Sequence, residues 1–455
     1  MEKHSRKEFL ASLGMGLGLT LIPEARADDD KRSYDVRDYG AIGDGKTDAT
    51  QAFQRCLLLH KVAYVPAGVW IVNNLTLDGM KLYGEGTLKL SKGENVLTLL
   101  GRGNVVQGLG FHTTNNRAKA EIRLGEGCQD VQISGCRFLG AAYSVLAADQ
   151  NGENDLSLKY KKPVKRVIFT HNFVSGYVVP LYLHSVEDML ISGNFFADSF
   201  YDAIRLRQGI QRVVISQNFF ENIGTSKEEV SRDAVDSFWS GRELIISDNI
   251  VKKTGCIGFD IKGHEPQGRY HTQNIVVANN LIEDTYYTGI LLSSGGAAKK
   301  PFNIGPASIK NNTITGGNRK SASPFEAAIW LHHGTARVQV IGNQISKHRG
   351  HGIGVSNAFK GAAKTKFVQI TQNMIVDCQH KGEAAGIYAQ DVEDLMMTHN
   401  MIEGCDLSWS FERIPDVNAF RKNALIESNF FKGPGKAIPM QDWPKYLEKT
   451  NKVLP

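Results

Sequence analysis

Ten asparagines recur in one local frame along the chain, and this recurrence constrains the fold more than any other feature. Apolar residues stand five and three positions before each asparagine, and Val, Ile or Phe stands two positions after it. Successive asparagines are 22 to 32 residues apart. A fixed frame at this period is typical of a solenoid, whose repeats bury their apolar faces by stacking. The ten are Asn172, Asn194, Asn218, Asn249, Asn280, Asn312, Asn343, Asn373, Asn400 and Asn429.

The alternation of apolar and polar residues around each asparagine has the period of two that marks a β-strand. The asparagine falls at a bend between two short strands, where its amide can bond to the equivalent amide about 4.8 Å away in the next coil. The frame also extends upstream without the amide, with Cys136 in the asparagine position. The chain is therefore predicted to be all-β, a right-handed parallel β-helix with an asparagine ladder at one corner.

A second frame lies in the opposite half of each coil and consists of a small residue followed by apolar, variable and apolar positions. Stacking the coils in register turns the variable position into an outward column. That column is predicted to contain Tyr182, Arg205, Asp236, Asp260, Leu291, Trp330, Gly354 and Tyr388. The next outward column is predicted to contain His184, Arg207, Phe238, Lys262, Ser293, His332, Ser356 and Gln390.

Charge is concentrated on three consecutive coils of these columns, where acids and bases mix with aromatic residues. Carboxylates on neighbouring coils can serve as general acid, general base or nucleophile, and their mutual repulsion raises one pKa. Arg and Lys bind acidic sugar groups, and aromatic faces pack on sugar rings. The predicted catalytic residues are Asp233, Asp236 and Asp260. The predicted substrate-binding residues are Tyr182, His184, Arg205, Arg207, Trp239, Lys262, His264 and Trp330. The alternative interpretation is an ion-pair ladder with no chemistry, in which Arg205 only neutralises Asp236.

The rest of the composition excludes several classes. The formal net charge of +6 is mild, no stretch is densely basic, and no nucleic-acid-binding motif is present. The histidines and cysteines lack the spacing of a zinc site, so no metal or cofactor is predicted. Cys378 and Cys405 each follow a ladder asparagine by five residues and should stack on adjacent coils, as buried thiols or as a disulfide.

The N-terminus has the features of an export signal. Lys3, Arg6 and Lys7 precede an apolar run that ends near Ile22, and a small-x-small cleavage site follows at residues 25–27. The segment resembles a twin-arginine signal with Lys7 in the second arginine position, and Sec export is the alternative. The expected organisation is a signal peptide at 1–27, a cap and first coils at 28–99, the β-helix at 100–432 and a C-terminal cap at 433–455. The mature protein is expected in the periplasm or outside the cell, without a stable membrane span.

Three early segments resemble the opening of the pectate-lyase-like superfamily, which includes polygalacturonase-type hydrolases, phage tailspike endoglycosidases and lyases. They read DYGAIGDGKTDATQAFQ from Asp38, AYVPAGVW from Ala63 and LYGEGTL from Leu82. The resemblance implies that an amphipathic helix at 49–61, with Ala52, Phe53, Cys56, Leu57 and Leu59 on one face, caps the first coil. Asp233 and Asp236 are similar to the paired acids of tailspike glycosidases and mannuronate epimerases. Residues 258–262 loosely resemble a polygalacturonase segment, with Asp260 in place of its arginine.

Three functions are consistent with these features. The first is an endo-acting glycoside hydrolase that cleaves a polysaccharide, and the basic residues of the site are compatible with an anionic one. The second is a uronan lyase or C5-epimerase, with the acids neutralising a carboxylate and a basic side chain abstracting the proton. The third is a non-catalytic glycan-binding or exopolysaccharide-assembly protein. The residues favour the hydrolase and leave the glycan and the oligomeric state open.

Overall fold

The computed structural model describes residues 34–113, 119–140, 143–147, 161–225, 232–238, 241–263, 272–294, 303–318, 326–356, 363–412, 424–432 and 452–454. Within these ranges the chain winds into a parallel β-helix whose coils contribute strands to three long sheets. Every strand pairing between neighbouring coils is parallel. The predicted fold class is confirmed. The predicted signal peptide, most of the C-terminal cap, Trp239 and His264 lie outside the described residues.

The three sheets have 13, 14 and 16 strands among the described residues. The 13-stranded sheet contains Leu75–Asp78, Asn95–Leu100, Ala120–Leu124, Tyr143–Ala147, Leu181–Leu183, Ile204–Leu206, Val235–Phe238, Phe259–Lys262, Ile290–Ser293, Ala327–His332, His351–Ser356, Ala385–Gln390 and Leu407–Glu412. The 14-stranded sheet contains Val62–Val65, Lys81–Gly84, Val105–Gln107, Gln129–Ser134, Val164–Thr170, Val186–Ser192, Gln211–Ser216, Arg242–Ser247, Gln273–Ala278, Ala307–Lys310, Ala336–Ile341, Thr365–Thr371, Val392–Thr398 and Ala424–Glu427. The 16-stranded sheet contains Asp44–Asp48, Val69–Ile71, Thr87–Lys89, Gly110–Phe111, Arg137–Leu139, Phe173–Ser175, Phe195–Ala197, Phe219–Ile223, Ile250–Thr254, Leu281–Glu283, Thr313–Thr315, Gln344–Ser346, Met374–Val376, Met401–Glu403, Phe430–Lys432 and Lys452–Leu454.

The asparagine ladder forms the corner between the 14-stranded and 16-stranded sheets. From Asn172 to Asn429 the side-chain amide of each asparagine donates to the Oδ1 of the next at 2.9 to 3.0 Å. The backbone N–H of each donates to the same oxygen. The backbone N–H of Cys136 donates to Asn172 Oδ1 at 2.9 Å, in the coil where the frame was predicted to continue without the amide. Buried polar groups need hydrogen-bond partners. The ladder supplies these partners to the backbone and side-chain groups at the bend in ten successive coils. These asparagines are structural.

The interior is one continuous apolar core that runs the length of the described coils. Cys378 and Cys405 lie in its wall on adjacent coils as predicted, and both are buried free thiols. The helix Thr50–His60 packs on the first strands through Ala52, Phe53, Cys56 and Leu57. No helix in the described part of the chain is long and apolar enough to cross a membrane.

Leu59 was predicted on the buried face of the helix, and this prediction is wrong because Leu59 is 70% exposed. At about 100° per residue, Leu59 falls beyond the edge of the arc that the four buried side chains occupy, and the core ends there.

Candidate active site on the 13-stranded sheet

The register of the 13-stranded sheet is the one that the repeated frame predicts. Arg205 pairs with Tyr182 on one side and Asp236 on the other, and Asp236 pairs with Asp260. The column continues through Leu291, Trp330, Gly354 and Tyr388. The neighbouring column is also as predicted where the strands pair, from Phe238 and Lys262 to Gln390. The acids and bases of three coils therefore meet on one face.

The acids are more deeply buried than an outward column suggests. Asp202, Asp233, Asp236 and Asp260 are between 0% and 4% exposed. Lys262 retains 27% of its side-chain exposure and Arg207 retains 12%. The expectation that Asp236 and Asp260 point outward into solvent is corrected accordingly, because the basic side chains fold back onto the carboxylates and take most of the exposed surface.

Asp236 is the centre of the ion-pair network. Its Oδ2 accepts a hydrogen bond from Arg207 at 3.0 Å and lies 3.9 Å from Arg205 Nε, and its Oδ1 lies 3.4 Å from Lys262 Nζ. Lys262 also forms a hydrogen-bonded ion pair with Oδ2 of Asp260. The two carboxylates of neighbouring coils thus share one ammonium group.

Asp202 and Asp233 bind backbone as well as side chains. Asp202 Oδ2 contacts both Nε and a terminal nitrogen of Arg205 at 2.7 Å, and its Oδ1 accepts the backbone N–H of Asp233 at 2.9 Å. Oδ1 of Asp233 accepts the backbone N–H of Ile257 at 2.7 Å. Each of these carboxyl groups therefore holds the start of the strand in the following coil.

Burial and the bases move the four pKa values in different directions. Burial alone would raise the pKa of Asp236, but Arg207, Lys262 and Arg205 lower it to about 2. Burial raises the pKa of Asp260 to about 6 against the opposing charge of Lys262. Burial raises the pKa of Asp233 well above its ordinary value, with Asp202 adding to the effect, and raises the pKa of Asp202 with the help of Asp236. At neutral pH the site holds one firmly ionised carboxylate beside carboxyl groups that retain protons more readily.

Asp236 and Asp260 each keep one oxygen without a hydrogen bond. Their Oδ1 atoms are buried and have no hydrogen-bond partner among the described residues, although Oδ1 of Asp236 lies 3.4 Å from Lys262 Nζ, and both Oδ2 atoms accept hydrogen bonds from basic groups. A buried polar atom without a partner is costly, and functional sites are where such atoms are tolerated. The two Oδ1 atoms therefore have unused capacity to accept a hydrogen bond, but in this conformation their burial separates them from solvent.

Three of the acids are also close enough together to be tested as a cation site. Asp202, Asp233 and Asp236 offer oxygens within 4.8 Å of one another. However, Arg205 and Arg207 already contact two of these carboxylates, and a metal ion would have to displace them. The donor set fits an ion-pair network better than a metal site.

The predicted substrate-binding residues divide into two groups. Arg205, Arg207 and Lys262 contact the acids, and Tyr182 lies beside them with its ring 5.8 Å from the Arg207 guanidinium. His184 is buried and bonds to Ser185. Trp330 lies two coils beyond Asp260, where its indole N–H donates to Ser356 at 3.0 Å, so it is remote from the acids.

Three residues of the cluster were missing from the predicted site. Asp202 aligns with Asp233 one coil earlier, so the column that singled out Asp233 also contained the signal for Asp202. Tyr201 lies between two guanidinium groups, 5.9 Å from that of Arg205 and 5.5 Å from that of Arg232. Tyr201 and Arg232 lie in turns outside the repeated frame, and no pattern in the sequence indicated them.

Comparison with known proteins assigns the family. The model of the right-handed β-helix region matches residues 120–304 and 302–431. Because these matches span more than half of the 455 residues, the chain belongs to the right-handed β-helix family. A comparison with curated proteins gives no match.

Several solved structures are similar in fold. The A-module of the mannuronan C-5 epimerase AlgE6 from Azotobacter vinelandii aligns with a TM-score of 0.54 and 14% identity, covering 88% of this chain and 100% of that one. The catalytic unit of a GH87 α-1,3-glucanase from Streptomyces thermodiastaticus aligns at 0.49 and 14%, covering 93% and 68%. A mannuronic-acid-specific family 6 polysaccharide lyase from the human gut microbiota aligns at 0.44 and 14%, covering 86% and 85%. At these identities the similarity concerns the fold alone.

Proposed function

We propose that the chain is a glycoside hydrolase that cleaves a polysaccharide at the acid cluster of the 13-stranded sheet. The observation that carries the proposal is the pair of carboxyl groups on neighbouring coils, Asp236 and Asp260, whose pKa values are driven apart to about 2 and about 6. Glycoside hydrolysis requires one ionised and one protonated carboxyl group on either side of the scissile bond. The similar A-module named above belongs to a mannuronan C-5 epimerase, which agrees with a polysaccharide substrate.

In the proposed reaction, Asp260 is the general acid. Its carboxyl proton passes to the glycosidic oxygen while the bond from the anomeric carbon to that oxygen breaks. Neighbouring coils lie about 4.8 Å apart, which is near the separation of about 5–5.5 Å that retaining enzymes need. Oδ1 of Asp236 then bonds to the anomeric carbon as the nucleophile, which requires the basic side chains that fold over the acids to move aside. Water, deprotonated by the Asp260 carboxylate, releases the sugar and restores both groups.

The remaining residues have supporting roles. Asp233, which was predicted to be catalytic, and Asp202 are positioning residues, because the carboxyl group of each accepts a hydrogen bond from the backbone of the following coil. Arg207 and Lys262 keep Asp236 ionised, and as the more exposed bases they meet acidic groups of the polymer first. Tyr182 and Tyr201 border the bases on the side of the preceding coils.

The rate is expected to be highest between about pH 2 and about pH 6, the pKa values of Asp236 and Asp260. Asp236 must be ionised, so the rate rises as the pH passes its pKa. Asp260 must be protonated, so the rate falls as the pH passes its own. The pH profile of kcat/KM on the natural polymer measures both limbs. Arg207→Gln should move the acidic limb to higher pH because it removes a charge that lowers the pKa of Asp236. A rate that continues to rise above pH 6 contradicts the role of Asp260.

A uronan lyase or C5-epimerase is the second candidate, because three basic groups converge on the acids and could bind a uronate. Proton abstraction needs a neutral base, however, and Asp260 and Asp236 raise the pKa of Lys262 despite its burial. A screen of polysaccharides with mass analysis of the products separates the possibilities. Hydrolysis adds water to each cleaved bond, elimination leaves an unsaturated end, and epimerisation takes up solvent hydrogen without cleavage. Retention of a glycan without any product would favour the non-catalytic alternative.

Export, through either signal route, and a periplasmic or secreted location remain part of this proposal, since an extracellular polymer must meet its enzyme outside the cytoplasm. N-terminal sequencing of the protein recovered from the periplasm or medium tests cleavage after Ala27.

A further inference from the structure

Two apolar stripes run along the outside of the solenoid on either side of the asparagine corner. The aliphatic stripe, on the 14-stranded sheet, consists of Ile168, Leu190, Val214, Ile245 and Val276. The phenylalanine stripe, on the 16-stranded sheet, consists of Phe173, Phe195, Phe219, Ile250 and Leu281. Eight of the ten side chains are partly exposed, and the two most exposed are Ile245 at 39% and Ile250 at 36%. Contiguous exposed apolar surface of this kind marks an interaction site.

The two stripes begin and end in the same coils. One coil earlier the two columns carry Gln132 and Arg137, and one coil later they carry Ser308 and Thr313. Each stripe is therefore about 19 Å tall, from five coils spaced about 4.8 Å apart. The rings of Phe173, Phe195 and Phe219 stack on one another at 5.4 and 4.9 Å, so their faces are covered and only their edges point outward. This arrangement suits packing against a protein surface better than stacking on a sugar.

Charged columns border the outer margins of the two stripes, and their signs are opposite at equal height. Beside the aliphatic stripe lie Arg212 and then Glu243, and beside the phenylalanine stripe, in the same two coils, lie Glu221 and then Lys252. Within one chain the two charged columns are far from each other, because both apolar stripes lie between them. Among the residues that the structure describes, Arg212 and Lys252 pair along their own sheets, with Glu187 at 3.2 Å and Glu283 at 3.7 Å among their partners.

We propose that this corner is the interface of a cyclic homo-oligomer, in which the aliphatic stripe of one copy packs on the phenylalanine stripe of the next with the solenoids parallel. Pairing two different faces gives a ring when the rotation between copies closes and a helical filament when it does not. Stripes of equal height packed with the solenoids parallel leave no rise between copies, which favours the ring. In this arrangement the two stripes, which are equally tall, are in contact over their whole length. Arg212 of one copy lies opposite Glu221 of the next, and Glu243 of the first copy lies opposite Lys252 of the next. Each face measures about 19 Å by 16 Å, so one interface covers about 300 Å² on each partner, less than the roughly 800 Å² per partner of a standard interface. Each copy in the ring takes part in two such interfaces, so ring closure adds the second to the first.

A two-fold antiparallel pairing of the aliphatic face with itself is disfavoured by charge. Centred on Val214, it would set Arg212 opposite its own copy and Asp188 opposite Glu243. Like charges placed directly opposite each other oppose association. The 13-stranded sheet lies on neither side of this corner, so the interface is independent of the proposed hydrolase and leaves its site free.

Sedimentation velocity of the full chain over a range of concentrations tests the interface. The full chain is expected to sediment as a multiple of 50.2 kDa. Ile245→Glu places a charge in the centre of the aliphatic stripe and should raise the dissociation constant by about two orders of magnitude or more. Gln339→Glu, at an exposed position of the same column two coils past the stripe, is the matched control and should leave the mass unchanged. Circular dichroism verifies that both variants are folded.

The charged columns provide a second test that does not disturb the apolar surface. Glu243→Lys should weaken association, and adding Lys252→Glu to the same chain should restore it, because each copy then offers the reversed pair to its neighbour. Three results would overturn the proposal: a full chain that is monomeric at tens of micromolar, an oligomer that survives Ile245→Glu, or a double variant weaker than the single one. A monomeric chain would indicate that the two stripes bind a lipid surface or a different protein instead of a second copy.

Discussion

Replacing Asp236 by Asn is expected to lower kcat/KM on the natural polysaccharide by on the order of 10³-fold, within the range of a catalytic acid or base. The side chain keeps its size but loses the ionised oxygen that is to attack the anomeric carbon. Asp236 is 4% exposed and lies beside Arg207 and Lys262, so the amide also leaves two bases with less negative charge. The measurement is the initial rate at which reducing ends are released, compared at equal concentrations of folded protein.

Asp248→Asn is the matched control for this variant. Asp248 lies on the next coil at the asparagine corner, is exposed, and accepts a hydrogen bond from Asn279 at 3.3 Å. The same chemical change there should leave kcat/KM within a factor of about two. Full activity of Asp236→Asn, with the control also fully active, would remove the proposed mechanism and leave a charged but inert surface. Loss of activity together with loss of folding would instead indicate a structural role for Asp236, and circular dichroism separates the two.

Replacing Asn280 by Ala is expected to lower the free energy of unfolding by about 3 kcal/mol or more, because it orphans three buried groups that cost about 1–3 kcal/mol each. Oδ1 of Asn280 accepts both the backbone N–H and the side-chain amide of Asn249 at 3.0 Å. Its own amide donates to the carbonyl of Ile246 at 3.0 Å. Denaturant titration followed by circular dichroism measures the change, and the local cost appears even where the long repeat array does not unfold as one unit.

The neighbouring Asn279→Gly provides the control for the ladder prediction. Asn279 is exposed and has a φ of 57°, a left-handed conformation that glycine adopts without strain. Its removal should change the free energy of unfolding by no more than about 0.5 kcal/mol. Equal effects from the two substitutions would show that the amide ladder contributes no more than an ordinary exposed asparagine.

The lateral positions of the residues in the two repeated frames could be predicted from the sequence. Parallel coils stack directly over one another and side chains alternate with a period of two, so once the frame around Asn280 or Asn218 is recognised, the register follows for the whole column. Arg205, Asp236 and Asp260 were placed side by side on this basis, and the pairing of their strands is as predicted. The misplaced Leu59 lies in a helix at the margin of the core, where no stacking neighbour constrains it.

The repeat itself determined the solenoid, the asparagine ladder and the columns, because each depends only on local periodicity and on the regular distance between coils. Only the tertiary structure decided that Arg207 and Lys262 fold over the acids, that Asp202 and Asp233 bond to the next coil, and that Asp236 and Asp260 differ in pKa. These properties depend on burial and on distances between long, flexible side chains from different coils. A one-dimensional pattern specifies which residues are neighbours, but it specifies neither the rotamers of those residues nor the surrounding dielectric that sets their charge.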